Sequence, residues 1–225
     1  MFTKQDLIDR QTTFAKMESL ADELMNNRIL KAGNKQYRLT EIEFYLFHRE
    51  LFPDPTTHCD KRQLTSDHWY FHRFPGSEIL RPLNRIGMDL TCGNQAEKIY
   101  GGILIRAIQD IDGKEEYIYG PSVLVNKLWS EMIPKPSKLE DLEEKDANTN
   151  SSLQLLPQKL PGQKIFECPR VGLGKKATEE FQLAPYRFIT FASKKHVWKE
   201  KTIYPYLKGK YDLEVILKEF KRRNI

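Results

Sequence analysis

YRLTEIEFYLF, residues 37–47, is the stretch whose reading decides the fold. Ile42, Phe44 and Leu46 alternate with Glu41, Glu43 and Tyr45, the period of two that marks a strand with one face in a core. The opposite face then carries two carboxylates and a phenol together. Acidic residues are depleted from strands and costly to bury without partners, so whatever lies against that face determines what the strand is for. The pattern fits the solvent-facing side of an ordinary antiparallel strand. It also fits a cleft wall whose carboxylate acts as a general base.

Working outward, RILKAG before this stretch predicts a partner strand, joined to it through the Gly-Asn turn signal of AGNK. Residues 4–26 carry Leu7, Phe14, Met17, Leu20, Ala21 and Leu24 at helical spacing. LFPDPTTHCDKRQLTSD reads as a loop, because its prolines and turn formers deny it regular pairing. HWYFHRF reads as a short aromatic strand, FPGSEILRPLNRIG as a loop, and YGGILIRAIQDIDG as a strand closed by an Asp-Gly turn. GPSVLVNKLW starts a helix with Pro121 in its first turn. KIFECPRVGLG and YRFITFAS are further strands, and DLEVILKEFKRR is a closing amphipathic helix with Leu213, Ile216, Leu217 and Phe220 on one side. Residues 134–163, rich in Pro, Lys, Glu, Asn and Ser, are expected as a flexible surface excursion. The expectation is one domain over residues 1–225 of the α+β class, with a curved, mainly antiparallel sheet flanked by helices.

The chain has 225 residues, 40% hydrophobic and 30% charged, enough for one sizeable core or at most two small ones. No window approaches the ~18 apolar residues of a membrane helix, and MFTKQDLIDR lacks an apolar signal core. A cytoplasmic protein away from the membrane is expected, nucleoid-associated in a prokaryotic cell. Cys59, Cys92 and Cys168 are scattered without metal-ligand or disulfide spacing, so neither a zinc site nor a disulfide framework is implied. The balance of 36 basic against 31 acidic residues gives +5, which permits nucleic-acid binding without demanding it. The distribution says more. From Arg187 onward come Lys194, Lys195, Lys199, Lys201, Lys208, Lys210, Lys218, Lys221, Arg222 and Arg223. Such a run fits a solvated face or a surface that meets phosphates. Arg73, Lys194, Lys195 and Lys199 are the backbone-contacting candidates on the second reading.

Three features bear on the acidic strand. His58 follows it in a loop. Trp69, Tyr70, Phe71 and His72 offer flat surfaces. Arg106 sits among aliphatic residues on a strand that should be buried, where a guanidinium needs a carboxylate partner; Glu43 is the obvious one.

Taken in order, LADELMNNRIL, TEIEFYL, TTH, GMDLT, GGILIRAIQDIDG, GPSVLVNKL, PRVGLG and LAPYRFITFAS resemble the alkyladenine DNA glycosylases, the 3-methyladenine DNA glycosylase type. The likeness runs from about Leu20 to Val197, interrupted around 73–86 and 134–163. It implies a monofunctional base-excision repair enzyme that flips an alkylated purine out of duplex DNA and hydrolyses its N-glycosidic bond, leaving an abasic site. By this resemblance Glu43 is the general base that activates water and Arg106 holds that water. Tyr45 and His58 sandwich the flipped base, and electron-rich rings there favour a cationic purine. Tyr70 and His72 supply a further wall, with Phe71 the alternative if the register shifts by one. The Arg170–Gly174 turn brings main-chain groups to the pocket floor. No metal, cofactor or Schiff-base lysine is implied; the partner is duplex DNA with damaged purines, and the enzyme is a monomer.

Two departures stand out. Asp89, in GMDLT, occupies the place of a family asparagine that helps exclude guanine, and a carboxylate cannot donate as an amide does. The family also wedges an aromatic side chain into the gap left by the flipped base, where this sequence offers Ile79 or Leu80 in FPGSEILRPLNRIG. Two other readings stay open: hydrolysis of other N-glycosidic bonds, in nucleosides or single strands, and non-catalytic nucleotide binding.

Overall fold

The computed structural model describes residues 1–72, 86–113, 116–197 and 199–221. In chain order the elements are α1 (Arg10–Asn26), β1 (Arg28–Ala32), β2 (Lys35–His48), β3 (Phe52–Pro53), β4 (Ser66–Phe71), β5 (Met88–Cys92) and β6 (Tyr100–Asp110). Then follow β7 (Tyr117–Tyr119), α2 (Pro121–Glu131), α3 (Glu140–Glu143), β8 (Leu153–Pro157), β9 (Phe166–Cys168), α4 (Glu179–Leu183), β10 (Arg187–Ile189), α5 (Tyr204–Lys208) and α6 (Leu213–Phe220). The architecture is α+β: one curved sheet in the order β4-β5-β6-β2-β1-β8, antiparallel throughout, with helices packed against it.

β2 is the spine. One edge pairs with β6 along nearly its whole length, from Tyr37 opposite Asp110 to Phe47 opposite Tyr100. The other edge is divided, with β1 on residues 35–37 and β10 on residues 41–43. Between Leu39 and Ile42 the register against β6 shifts, so that Thr40 is an extra residue on β2 and Arg106 an extra one opposite. This bulge reverses the phase of the strand. Before it the odd positions Tyr37 and Leu39 face the main core; after it the even positions Ile42, Phe44 and Leu46 do. A one-residue slip exchanges the faces of everything beyond it, and here it delivers Glu41, Glu43 and Tyr45 to the side away from that core.

α1 opens on Asp9, whose side chain accepts the Thr12 N–H at 2.7 Å, the usual way an aspartate satisfies a first-turn donor. It buries Met17, Ala21 and Leu24 in the main core, while Leu7 reaches that core from a separate short turn. α2 begins at Pro121, as expected, and buries Leu124, Val125 and Leu128.

Residues 134–163 differ from the expected excursion. β8 pairs with β1 from Arg28 opposite Pro157 to Ala32 opposite Leu153, and Leu139, Leu142, Ala147, Leu153 and Leu155 belong to the main core. Few apolar residues are spread through a polar stretch here, but those five are buried, so composition averaged over the segment conceals its packing. β5 and β7 are likewise strands that the sequence did not mark.

The opposite face of the sheet has its own smaller cluster. Phe166 and Cys168 of β9, Ile189 of β10, Tyr204 and Leu207 of α5, and Ile216 and Phe220 of α6 pack there. Leu213, expected on the buried side of α6, is 54% exposed. The chain after β10 therefore forms a cover over the face that carries the two glutamates.

Candidate active site

Arg187 of β10 stands opposite Glu43, and Ile189 opposite Glu41, so cross-strand pairing alone brings a guanidinium beside both carboxylates. Glu41 and Glu43 are 2% and 0% exposed, which removes the reading of this face as a solvent-facing one. Arg106 bridges them, donating through Nε to Glu41 Oε1 at 3.0 Å and through Nη1 to Glu43 Oε2 at 3.1 Å. Arg187 lies behind, with Nη2 2.8 Å from Glu41 Oε1 and Nε 3.9 Å from Glu43 Oε1. His196 completes the lower layer with Nδ1 2.7 Å from Glu41 Oε2. Two anions and two guanidinium cations thus alternate in a closed group. Burial pushes the Glu41 carboxyl up, yet Arg187, His196 and Arg106 overcome that and hold it down at about 2. Burial lowers Arg106, and Glu43 and Glu41 more than offset it, raising the guanidinium above its ordinary value.

The expected pairing of Glu43 with Arg106 is therefore present, and Glu43 has two further partners. Its Oε2 accepts the Tyr45 hydroxyl at 2.8 Å, and its Oε1 accepts the Val171 N–H at 3.1 Å. The second comes from the Arg170–Gly174 turn, which does supply a main-chain group to the floor. Gly172, next in that turn, has φ of +74°, a conformation glycine adopts without strain. Burial, then the charge on Glu43, pushes the Tyr45 hydroxyl well above its usual value, so it remains a donor. The turn is anchored by Arg170. This residue and Asp54 are both fully buried and meet at 2.7 Å, and the guanidinium lies 4.6 Å from the centre of the Tyr45 ring.

Above this floor is a cavity of about 270 Å³ lined by Tyr45, His58, His72, Asp89, Arg106 and Val171 among others. Tyr45 and His58, expected to sandwich a base, both lie on its wall. Glu43 lies one layer behind, in contact with the lining residues Tyr45, Arg106 and Val171. Of the two residues proposed from HWYFHR, only His72 lines the cavity. Tyr70 is buried, with its hydroxyl 3.3 Å from His58 Nδ1, and so supports the wall from outside. The two imidazoles of His58 and His72 sit 4.4 Å apart, centre to centre.

Asp89 closes the far end. It is 1% exposed; Oδ1 is 2.7 Å from His72 Nε2, and Oδ2 accepts Gln63 Nε2 at 3.3 Å. Gly102 on the adjacent strand leaves room for it, since a Cβ there would come within 2.4 Å of Oδ2. Burial pushes His72 down, but Asp89 outweighs this and the imidazole is raised. Partial burial lowers His58, and His72 beside it acts in the same direction.

Lys194 and Lys195 are exposed on the covering segment. Lys195 Nζ rests 4.6 Å from the Tyr119 ring centre, and Lys199 Nζ donates to the Lys194 carbonyl at 2.5 Å. Arg73, and the wedge candidates Ile79 and Leu80, lie outside the described residues. Sequence reasoning missed Gln63, Arg187, His196 and the Asp54 partner of Arg170. Arg187 gave the same signal as Arg106, a guanidinium between apolar neighbours on a strand. Gln63 and His196 lie outside the strands and gave none.

No family model matches the chain. It is 36% identical over 216 residues, 90% of its own length and 96% of the relative's, to a protein of Acanthamoeba polyphaga mimivirus described as "Uncharacterized protein L759". At that identity and coverage the chain belongs to the same family as this viral protein.

Proposed function

We propose that this chain is a monofunctional DNA glycosylase that hydrolyses the N-glycosidic bond of alkylated purines extruded from DNA. The observation that carries the reading is the buried Glu43–Arg106 pair at the floor of a small cavity walled by Tyr45, His58 and His72. An ion pair serving stability alone needs no cavity beside it, and a buried pair is weak evidence for stability in any case. A carboxylate with an arginine at the base of a slot of flat rings suits hydrolysis of a planar leaving group.

In this mechanism the base enters between Tyr45 and His58. Water beside Arg106 attacks the anomeric carbon as its bond to the purine nitrogen breaks. Glu43 takes the proton, the hydroxyl stays on the sugar, and the bonding electrons leave with the purine. An alkylated, positively charged purine departs neutral and needs no protonation, so one carboxylate is enough. Arg106 balances the charge about Glu43 and orients the water. The His72–Asp89–Gln63 group sets the edge that the base meets. Exposed Lys194 and Lys195, with Lys199 close by, suit phosphate contacts along the strand.

The test is release of free purine from duplex DNA carrying a single alkylated adenine. Wild-type protein yields purine and an abasic site, whereas Glu43→Gln loses at least ~100-fold in rate, the usual contribution of a positioned general base. Unchanged release by a folded Glu43→Gln protein would refute the assignment of Glu43. No release by wild-type protein would refute the activity.

A further inference from the structure

The cavity holds two histidines, and a flat wall is all that a cationic purine asks of them. His72 stands just past β4, where its N–H donates to the Gly87 carbonyl at 2.9 Å and continues the ladder with β5. Its ring lines the cavity with the side chain 23% exposed. Nε2 is taken by Asp89 Oδ1 at 2.7 Å, which leaves Nδ1 without a hydrogen-bond partner among the described residues. The carboxylate is itself fixed. Gln63 accepts the Asp60 N–H on Oε1 at 3.2 Å, so its Nε2 amide is turned toward Asp89 Oδ2. An imidazole held by a carboxylate on one nitrogen keeps a proton there, and the other nitrogen is the one that gains or loses a proton.

His58 is treated in the opposite way. The Tyr70 hydroxyl, kept a donor because burial pushes it up, meets His58 Nδ1 at 3.3 Å. Burial, then His72, lowers His58, whereas in His72 the Asp89 charge more than offsets burial and raises the ring. The two imidazoles are 4.4 Å apart. Neighbouring groups of one kind pushed in opposite directions are how a site obtains an acid. A wall meant for a cation alone gains nothing from a charged imidazole, which repels it.

We infer that His72 is a general acid in this cavity, with Asp89 as its positioning residue, and that the site also releases purines that carry no charge in DNA. The inference rests on the glycosylase reading given above. A neutral purine leaves poorly as an anion. His72 passes its Nδ1 proton to a ring nitrogen of the base, N3 or N7, as the glycosidic bond breaks and its electrons go to the purine. Water adds to the anomeric carbon and Glu43 takes its proton, so the products are a neutral purine and a sugar hydroxyl. The proton on Glu43 then returns to His72 through solvent.

The probes are duplexes with a single hypoxanthine, which is uncharged, or a single alkylated adenine, which is cationic, in single-turnover assays across pH. Wild-type protein should release both, with hypoxanthine release falling as pH rises above the ordinary histidine value of about 6.5. The titratable and charged groups about His72 are Asp89 of β5, His58 of the loop after β3, Tyr70 of β4 and Arg106 of β6 on the cavity lining. His72→Gln removes a wall and slows both bases, and should slow hypoxanthine by a further ~100-fold, the usual share of a positioned acid. Asp89→Asn should move the alkaline limb for hypoxanthine to lower pH, which neither a structural carboxylate nor ionisation of the base itself would do. With wild-type protein, either 7-deaza- or 3-deazahypoxanthine should resist release, because the nitrogen that takes the proton is gone. Equal slowing of both bases in His72→Gln, an unmoved limb in Asp89→Asn, or both deaza analogues released as fast as hypoxanthine would overturn the inference. If alkylated adenine is released and hypoxanthine is not, the acid assignment alone falls. If neither base is released, the glycosylase reading falls and the acid with it.

Discussion

Replacing Glu41 by Gln tests the lower layer of the site, because it removes one charge while nearly preserving shape. Glu41 touches Arg106, Arg187 and His196 but does not line the cavity. Its carboxyl is held at about 2 against an ordinary 4.5; at 1.36 kcal/mol for each tenfold, that is a preference for the charged form of about 3 kcal/mol. At 2% exposure solvent screens little of it, and the figure agrees with the ~3–5 kcal/mol lost when one partner of a buried pair is removed. The glutamine also sets an amide donor near guanidinium donors. Urea denaturation at pH 7 should therefore show Glu41→Gln less stable by about 3 kcal/mol, with a melting temperature lower by roughly 6–12 °C for a chain of this size. The pH dependence has a definite sign. A depressed carboxyl contributes fully above its unfolded value, so the gap between wild type and variant stays constant from neutrality down to about 5 and narrows as pH falls from 4.5 toward 2. A variant within 1 kcal/mol of wild type at pH 7, or a gap that widens with acid, would refute the account of Glu41.

Two further outcomes follow from the far end of the cavity. Asp89 raises the His72 imidazole, so its contribution to stability is complete below the unfolded value of about 6.5 and is lost as pH rises through the higher folded value; in Asp89→Asn an NMR titration should find the His72 midpoint moved down. Gly102→Ala would place a Cβ 2.4 Å from Asp89 Oδ2 and 2.9 Å from Gln63 Nε2, and should cost about 1–3 kcal/mol in denaturation while displacing the carboxylate that meets His72.

Much of the site was legible because charge inside an apolar strand is so rarely tolerated. Arg106 broke an apolar run, where a guanidinium needs a partner; Glu43 stood on the polar face of an alternating strand that fitted solvent as well as a cleft, and it was singled out as the partner Arg106 required. His58 and Asp89 could be placed only through the resemblance, since a loop histidine and an aspartate carry no spatial information of their own. His196 was illegible for the same reason: its bond to Glu41 spans a sequence separation of 155, and nothing local anticipates it. The fold shows a parallel contrast. β2 announced itself through apolar alternation and β6 through a near-continuous apolar run, whereas β8 has only Leu153 and Leu155 buried within a polar stretch. It becomes a strand because β1 offers a free edge. The bulge at Thr40 was hidden as well, since alternation read from Glu41 onward looks regular and the change of phase is visible only where Leu39 is known to face the core.

That extra residue has a consequence for how the protein can change. β2 is two tools in one ribbon, the first half turning its odd positions to the main core and the second turning its odd positions to the buried ion-pair layer behind the cavity, and their orientations are tied by a parity of one. Substitutions can accumulate in either half without disturbing the other. Losing or gaining a single residue near Thr40, by contrast, would turn both glutamates inward and the phenylalanine outward in one step. Chain length at this point is thus guarded more strictly than the identity of the threonine itself.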